Sequence, residues 1–261
     1  MIPGQICCAC QVSGRQHFVV GIQGSVDGSS LTSSPHKIIR LGAIGDIISE
    51  FKKQRIEEVV MVGSITRPPW QDLRPDFRGL KLLPKLLTSR QGDGDILKIA
   101  ISELEEEGFR VVGVDKVLPD LLTPRGKIGA LSPSSTSTKD ISFGISVAKT
   151  IGDLDIGQAV VIQQGMVLGV EAAEGTKSLL CRCSRLSKKG AKGVLIKIKK
   201  PHQDARADLP TIGPETVLQV NEAGLGGVAV EAGSSLIIER EEVIRLADGF
   251  GIFVLGVDLS N

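Results

Sequence analysis

An α/β fold in two domains is predicted by three observations. Short apolar runs alternate with amphipathic helical stretches in the first half, the texture turns to Ser, Thr and Pro near the middle, and a second alternating series follows. The expected organisation is an N-terminal, mostly parallel α/β domain over residues 1–130, a linker over 131–140, and a C-terminal mixed α/β domain over 141–261. At 261 residues the chain is long enough to bury two modest cores.

Taken in order, residues 3–12 read as a helix with Pro3 in its opening turn. A strand over 18–22 follows, then a polar Gly/Ser/Thr stretch from 24 to 34. Ile44, Ile47, Ile48 and Phe51 recur at helical spacing, and 59–62 is a short apolar strand that runs into Gly63-Ser64-Ile65-Thr66-Arg67-Pro68-Pro69. A strand ending in Gly-Ser and a prolyl turn resembles the carboxyl edge of an α/β sheet, where ligands bind, and Ser64 and Arg67 are candidates to hold an anion there. Residues 79–87 form a short helix carrying Lys81 and Lys85. Leu97, Ala100, Ile101 and Leu104 share one helical face, and Gly108 precedes a strand over 109–114.

The stretch 123–139 is rich in Pro, Gly, Ser and Thr and marks the boundary. Beyond it a helix is expected from about 141 to 152. Gln164-Gly165 signals a hairpin between 159–163 and 166–172. The helix after Gly175-Thr176 carries Leu179, Leu180, Cys183 and Leu186 on one side, with Thr176 as a cap. Bare N–H groups at such a start suit an anion. A strand over 193–199 leads into a charged loop. A helix from Pro214, a strand over 227–230, a short run 236–238, a helix over 239–248 and a strand over 251–257 complete the chain. Val-Glu-Ala closes a strand twice, at 170–172 and 230–232. Glu171 and Glu231 are therefore expected at a sheet edge.

Composition narrows the function. A net charge of +1, no Tyr, one Trp and seven Phe supply neither the field nor the stacking platforms for nucleic acid. No apolar run reaches bilayer length, and the N-terminus lacks a signal-peptide pattern, so a cytoplasmic protein is expected. Five cysteines without zinc-ligand spacing read as small apolar residues. The glycines at 21, 24 and 28 do not make a dinucleotide fingerprint, which argues against a nicotinamide-dependent oxidoreductase.

The densest chemistry lies in the loop 199–213, where Lys199, Lys200, Arg206, Asp204, Asp208, His202 and Gln203 stand between two prolines. Cations interleaved with carboxylates suit a phosphate ester with a metal ion, though the same residues also serve a solvated loop with local ion pairs.

These residues carry a resemblance. Lys-Pro-His-Gln-Asp-Ala-Arg-Ala-Asp-Leu-Pro-Thr-Ile-Gly (200–213), the run 161–176 and Ala-Gly-Leu-Gly-Gly-Val-Ala-Val-Glu-Ala-Gly (223–233) resemble motifs of the two-domain UDP-2,3-diacylglucosamine pyrophosphatases of lipid A biosynthesis. Gly-Ser-Ile-Thr-Arg-Pro (63–68), Arg-Gly-Leu-Lys-Leu-Leu-Pro (78–84) and Gly-Asp-Gly-Asp (92–95) match more loosely. The resemblance implies a Rossmann-like N-terminal domain with the site between it and the C-terminal catalytic domain. It also implies hydrolysis of UDP-2,3-diacylglucosamine to UMP and 2,3-diacylglucosamine 1-phosphate (lipid X), assisted by Mg2+ or another divalent cation, with Asp208 as the essential aspartate. Within the matching motifs, Gln203 and Arg206 are catalytic candidates. Lys200, Glu174 and Thr176 are substrate-binding candidates, and Glu171 and Glu231 join Asp208 as metal candidates. Asp208 is equally open to a general-base role. The amphipathic substrate implies peripheral contact with the cytoplasmic face of the inner membrane.

Two departures stand out. Lys177 occupies a place where the family carries an acid, which removes a metal role there. Met1-Ile2-Pro3 stands where the family's first helix begins, so the expected N-terminal sheet is short of its first strand. The rival reading is a nucleotide-sugar or lipid-binding protein without catalysis.

Overall fold

The computed structural model describes residues 2–26, 34–63, 74–88 and 93–259. It divides into two compact units, Met1–Pro119 with Arg206–Asp208, and Asp120–Ala205 with Leu209–Asn261.

The first unit runs α1 (Ile2–Val12), β1 (Val19–Ile22), β2 (His36–Ile39), α2 (Ile44–Lys53), β3 (Glu58–Val60), α3 (Phe77–Thr88), α4 (Asp93–Glu106), β4 (Arg110–Val112) and α5 (Val114–Val117). Among the described residues its strands form two separate parallel pairs, β1 with β2 and β3 with β4. The parallel pairing of β3 and β4, with α3 and α4 between them, is what alternating helices and strands predicted. The core gathers Ile48 and Phe51 of α2, Val59, Ile101 and Leu104 of α4, Phe109 and Val111, with Phe51 edge-on to Phe109 at 5.6 Å. Asp76 ties two helix starts together: one carboxylate oxygen accepts from the Gly45 amide at 2.7 Å and the other from the Gly79 amide at 2.7 Å.

The second unit runs β5 (Gly126–Ile128), α6 (Ser135–Asp153), β6 (Ala159–Gln163), β7 (Met166–Val170), α7 (Gly175–Ser184), β8 (Val194–Lys197), β9 (Thr211–Ile212), α8 (Pro214–Glu222), β10 (Gly227–Glu231), β11 (Leu236–Ile237), α9 (Arg240–Phe250) and β12 (Phe253–Val257). Six strands make one mixed sheet in the order β5-β12-β10-β8-β6-β7. Strands β8, β10 and β12 are parallel, while β6 runs against both β7 and β8. Alternation along the strands sorts the core into two faces. Val161, Leu195, Val228 and Val254 lie with residues of α7, α8 and α9, and Val160, Ile162, Ile196, Ala229 and Phe253 lie with residues of α6. Gly144 lets α6 seat directly on the sheet, because a β-carbon there would fall 2.6 Å from Ile196 Cδ1.

Most predicted elements are present within a residue or two, and the mixed two-domain α/β class holds. The boundary region differs. The compact units part at Pro119, upstream of the 131–140 stretch read as a linker, and Ser135 to Asp140 are already helical. The reason is local: Ser134 caps α6 by accepting from the Ser137 amide at 3.1 Å, so a Ser/Thr-rich composition starts a helix here. Strands β2, β5 and β9 were not anticipated. Each has four residues or fewer, and the exposed His36 and Lys37 make β2 read as loop.

Candidate functional site

The site builds from one end of the six-stranded sheet. Strands β7, β8, β10 and β12 all point the same way, and their carboxyl ends are brought level by the register. Lys197 pairs with Ala159 and Val230, Val170 with Val160, and Glu231 with Val257. Open α/β sheets bind ligands at this kind of edge. Glu171, Lys197 and Glu231 are therefore delivered to one rim, which confirms the position expected for the two glutamates.

Glu171 is 6% exposed, and both its carboxylate oxygens are engaged. Thr176 Oγ donates to Oε1 at 2.5 Å and the Gln158 amide donates to Oε2 at 3.0 Å. Thr176 does not cap α7 as expected. Its hydroxyl proton goes to Glu171 while its oxygen accepts from Lys197 Nζ at 3.2 Å, and Lys197 also donates to the Thr211 carbonyl at 3.2 Å. Glu174 sits at the N-cap of α7 instead. Its carboxylate takes the Ala172 amide at 3.2 Å and Arg182 at 2.6 Å. Hydrogen bonds from its own amide, then from Arg182, hold its pKa below the usual 4.5. Gly157 is required beside this group, because any β-carbon would collide with the Glu171 carbonyl.

The loop after β8 is pinned at both ends. On the entry side Glu231 Oε2 accepts from the Lys199 amide at 2.9 Å. The buried Gln203 accepts from the Lys200 amide at 3.1 Å, and Lys200 Nζ meets Asp155 Oδ1 at 2.5 Å. On the exit side the Leu236 amide donates to the Pro210 carbonyl at 2.8 Å, and Thr211–Ile212 pair with β11. The middle, Arg206–Asp208, groups with the first unit. Arg206 Nη1 donates to Glu105 Oε1 at 2.5 Å, and Ala207 packs on the first unit's apolar cluster. Asp208 is half-buried.

The predicted residues thus fall into groups. Glu171, Glu174, Thr176 and Glu231 share the sheet rim of the second unit, and Lys200 and Gln203 brace the loop's first turn. Arg206 and Asp208 stand in its middle. Ser64 and Arg67 lie outside the described residues. His202 is exposed, 3.9 Å from Asp153. Lys197, Gln158 and Asp155 were not singled out from sequence. Lys197 was legible as a cation set between Ile196 and Ile198 inside the apolar run, whereas Gln158 and Asp155 act through local backbone geometry that no motif shows.

The donor set does not form a ready seat for a divalent cation. Among the described residues no three His, Cys, Asp or Glu cluster as metal ligands. Glu171 spends both oxygens on Thr176 and Gln158, and Glu231 spends one on the Lys199 amide.

Comparison with known proteins decides the family. Residues 1–121 match the LpxI N-terminal domain and residues 124–255 the LpxI C-terminal domain. The chain belongs to the LpxI family. The two matches meet between residues 121 and 124, close to the division of the compact units at Pro119. The UDP-2,3-diacylglucosamine pyrophosphatase LpxI of Caulobacter vibrioides is 39% identical over 264 residues, covering 98% of this chain and 94% of that protein. The LpxI C-terminal match contains Glu171, Lys197, Glu231 and the loop 199–213, while the N-terminal match contains Glu105, the partner of Arg206.

Proposed function

We propose that this protein hydrolyses the pyrophosphate bond of UDP-2,3-diacylglucosamine, releasing UMP and 2,3-diacylglucosamine 1-phosphate, a step of lipid A biosynthesis. The observation that carries the reading is the 39% identity to a UDP-2,3-diacylglucosamine pyrophosphatase across 98% of the chain.

In this reading water attacks one phosphorus, the bridging P–O bond breaks, and Asp208 accepts the proton that water gives up. The charge that grows on the phosphoryl oxygens is met by Arg206, Lys200 and Lys197. Arg206 and Lys200 are engaged by Glu105 and Asp155, so the pyrophosphate competes with those carboxylates for its cations. The amides of Thr176 and Lys177 at the start of α7 orient the second phosphate, while the Thr176 hydroxyl, donating to Glu171, accepts from Lys197 and holds that ammonium in place. No step is assigned to a metal ion.

The test is release of UMP from UDP-2,3-diacylglucosamine by the wild-type chain and by Asp208→Asn, with a thermal melt to confirm that the variant folds. Loss of a group that moves a proton in the transition state slows turnover on the order of 10²–10⁴-fold. Wild-type protein that binds the substrate and releases no UMP would establish the binding-protein reading instead. An EDTA arm of the same assay reads whether turnover needs a divalent ion.

A further inference from the structure

We infer that α3 is a docking surface for an anionic lipid bilayer. Phe77, Leu80, Lys81 and Pro84 stand at i, i+3, i+4 and i+7, so they share one face of the helix, and all four are exposed. Phe77 is 76% and Leu80 52% exposed, whereas Leu82 on the inward side is 7% exposed. An aromatic and a leucine left side by side in water are anomalous for a helix that has an inward face of its own. Lys81 Nζ lies 4.8 Å from the centre of the Phe77 ring, holding a cation over the apolar stripe.

The charge pattern names the occupant. Between Phe77 and Thr88 the helix carries no carboxylate; its cations are Lys81 and Lys85, with Arg78 held inward by Glu103 and Glu107. The carboxylate of Asp76 just before it is turned onto the Gly45 and Gly79 amides. Apolar side chains flanked by lysines whose stems reach along the surface are the pattern of a helix that lies in the headgroup layer, its cations on anionic lipid. No described helix is long and apolar enough to cross a membrane, so such contact would be peripheral. The inference deepens the proposed reaction, whose substrate carries two acyl chains and resides in a bilayer.

Cosedimentation with phosphatidylcholine vesicles, with and without phosphatidylglycerol, tests it. Wild-type protein is expected to partition onto the anionic vesicles, and Phe77→Ser/Leu80→Ser to bind at least about tenfold more weakly. Lys81→Glu is expected to weaken binding to anionic vesicles alone, in a salt-sensitive manner. Equal partition of wild type and double variant overturns the inference. So does a wild-type dimer in sedimentation that the double variant abolishes, because the face would then belong to a second copy. UMP release from substrate in detergent micelles separates the two readings. The double variant is expected to match wild type there, and a wild-type chain silent in micelles refutes the reaction while leaving the vesicle result standing.

Discussion

The two units hold themselves together by different means. In the second, one continuous six-stranded sheet is covered on both faces, and the residues at its centre, among them Val160, Leu195, Ile196, Val228 and Val254, are fully buried. In the first, the described strands form two separate pairs, and the core residues remain 2–9% exposed. Around that smaller core lies a lattice of ion pairs. Lys37 meets Glu50 at 2.7 Å, Arg78 meets Glu103 at 2.9 Å and also Glu107, Lys52 joins Glu107, and Arg15 and Arg110 share Glu58. Apolar burial carries no charge to screen or titrate, whereas ion pairs are screened by salt and titrated by pH. The second unit is therefore suited to hold the sheet rim of Glu171, Lys197 and Glu231 in fixed geometry, and the first to respond to its surroundings.

The largest test of this contrast is a matched pair of core truncations. Ile196→Ala opens a cavity in the middle of a sheet already fixed by hydrogen bonds on both sides and is expected to cost about 4–5 kcal/mol. Ile101→Ala removes the same atoms from a helix in the smaller core, where neighbours can close in, and is expected to cost nearer about 2 kcal/mol. Urea unfolding monitored by hydrogen exchange measures both. Equal costs would mean that the first unit packs as rigidly as the second.

Acid is the next lever. Hydrogen bonds from Gln54 and then Lys37 hold Glu50 below the usual carboxylate pKa of 4.5, and bonds from Lys52 and then Arg78 do the same for Glu107. A carboxylate whose folded pKa is depressed adds stability that is fully present above 4.5 and is lost as the pH falls through the depressed value. Amide protection in the first unit is thus expected to decline below pH 4.5 before that of the second. Glu174 and Glu242 are depressed in the second unit too, but they sit at its surface and leave the apolar core untouched. Parallel loss of protection in both units would break the contrast. Arg78→Met is expected to reproduce the acid effect at neutral pH, as faster exchange along α3 and α4.

What the sequence showed and what it hid follow the same division. The second unit's strands were legible because runs such as Val-Val-Ile at 160–162 are buried on both faces and read as unbroken apolar stretches. Glu171 and Glu231 were legible because a carboxylate straight after such a run can only stand at its end. The short β2 and β9 hold too few residues for any period to emerge. The engagement of Thr176 with Glu171 was hidden because a Gly-Thr helix start looks the same whether its hydroxyl turns to its own backbone or to a neighbouring strand. The pairing of Arg206 with Glu105 spans 101 positions, and no local pattern reports it.

The smallest expected effect lies at the start of α7. Lys177 stands in the first turn of α7, and its ammonium is 3.6 Å from Glu215, with both side chains about three-quarters exposed. Arg78 makes the same kind of contact with glutamates that are only 11% and 16% exposed. Water screens the first pair and is largely kept from the second, so the Lys177 pair contributes little to stability despite its place next to Thr176. Lys177→Ala is expected to leave the melting temperature within error and to change UMP release less than about twofold, because the amides of α7 and the Thr176 hydroxyl stay in place. A tenfold fall in release with an unchanged melt would show that this lysine leaves Glu215 to meet the pyrophosphate. The cation would then belong to the site.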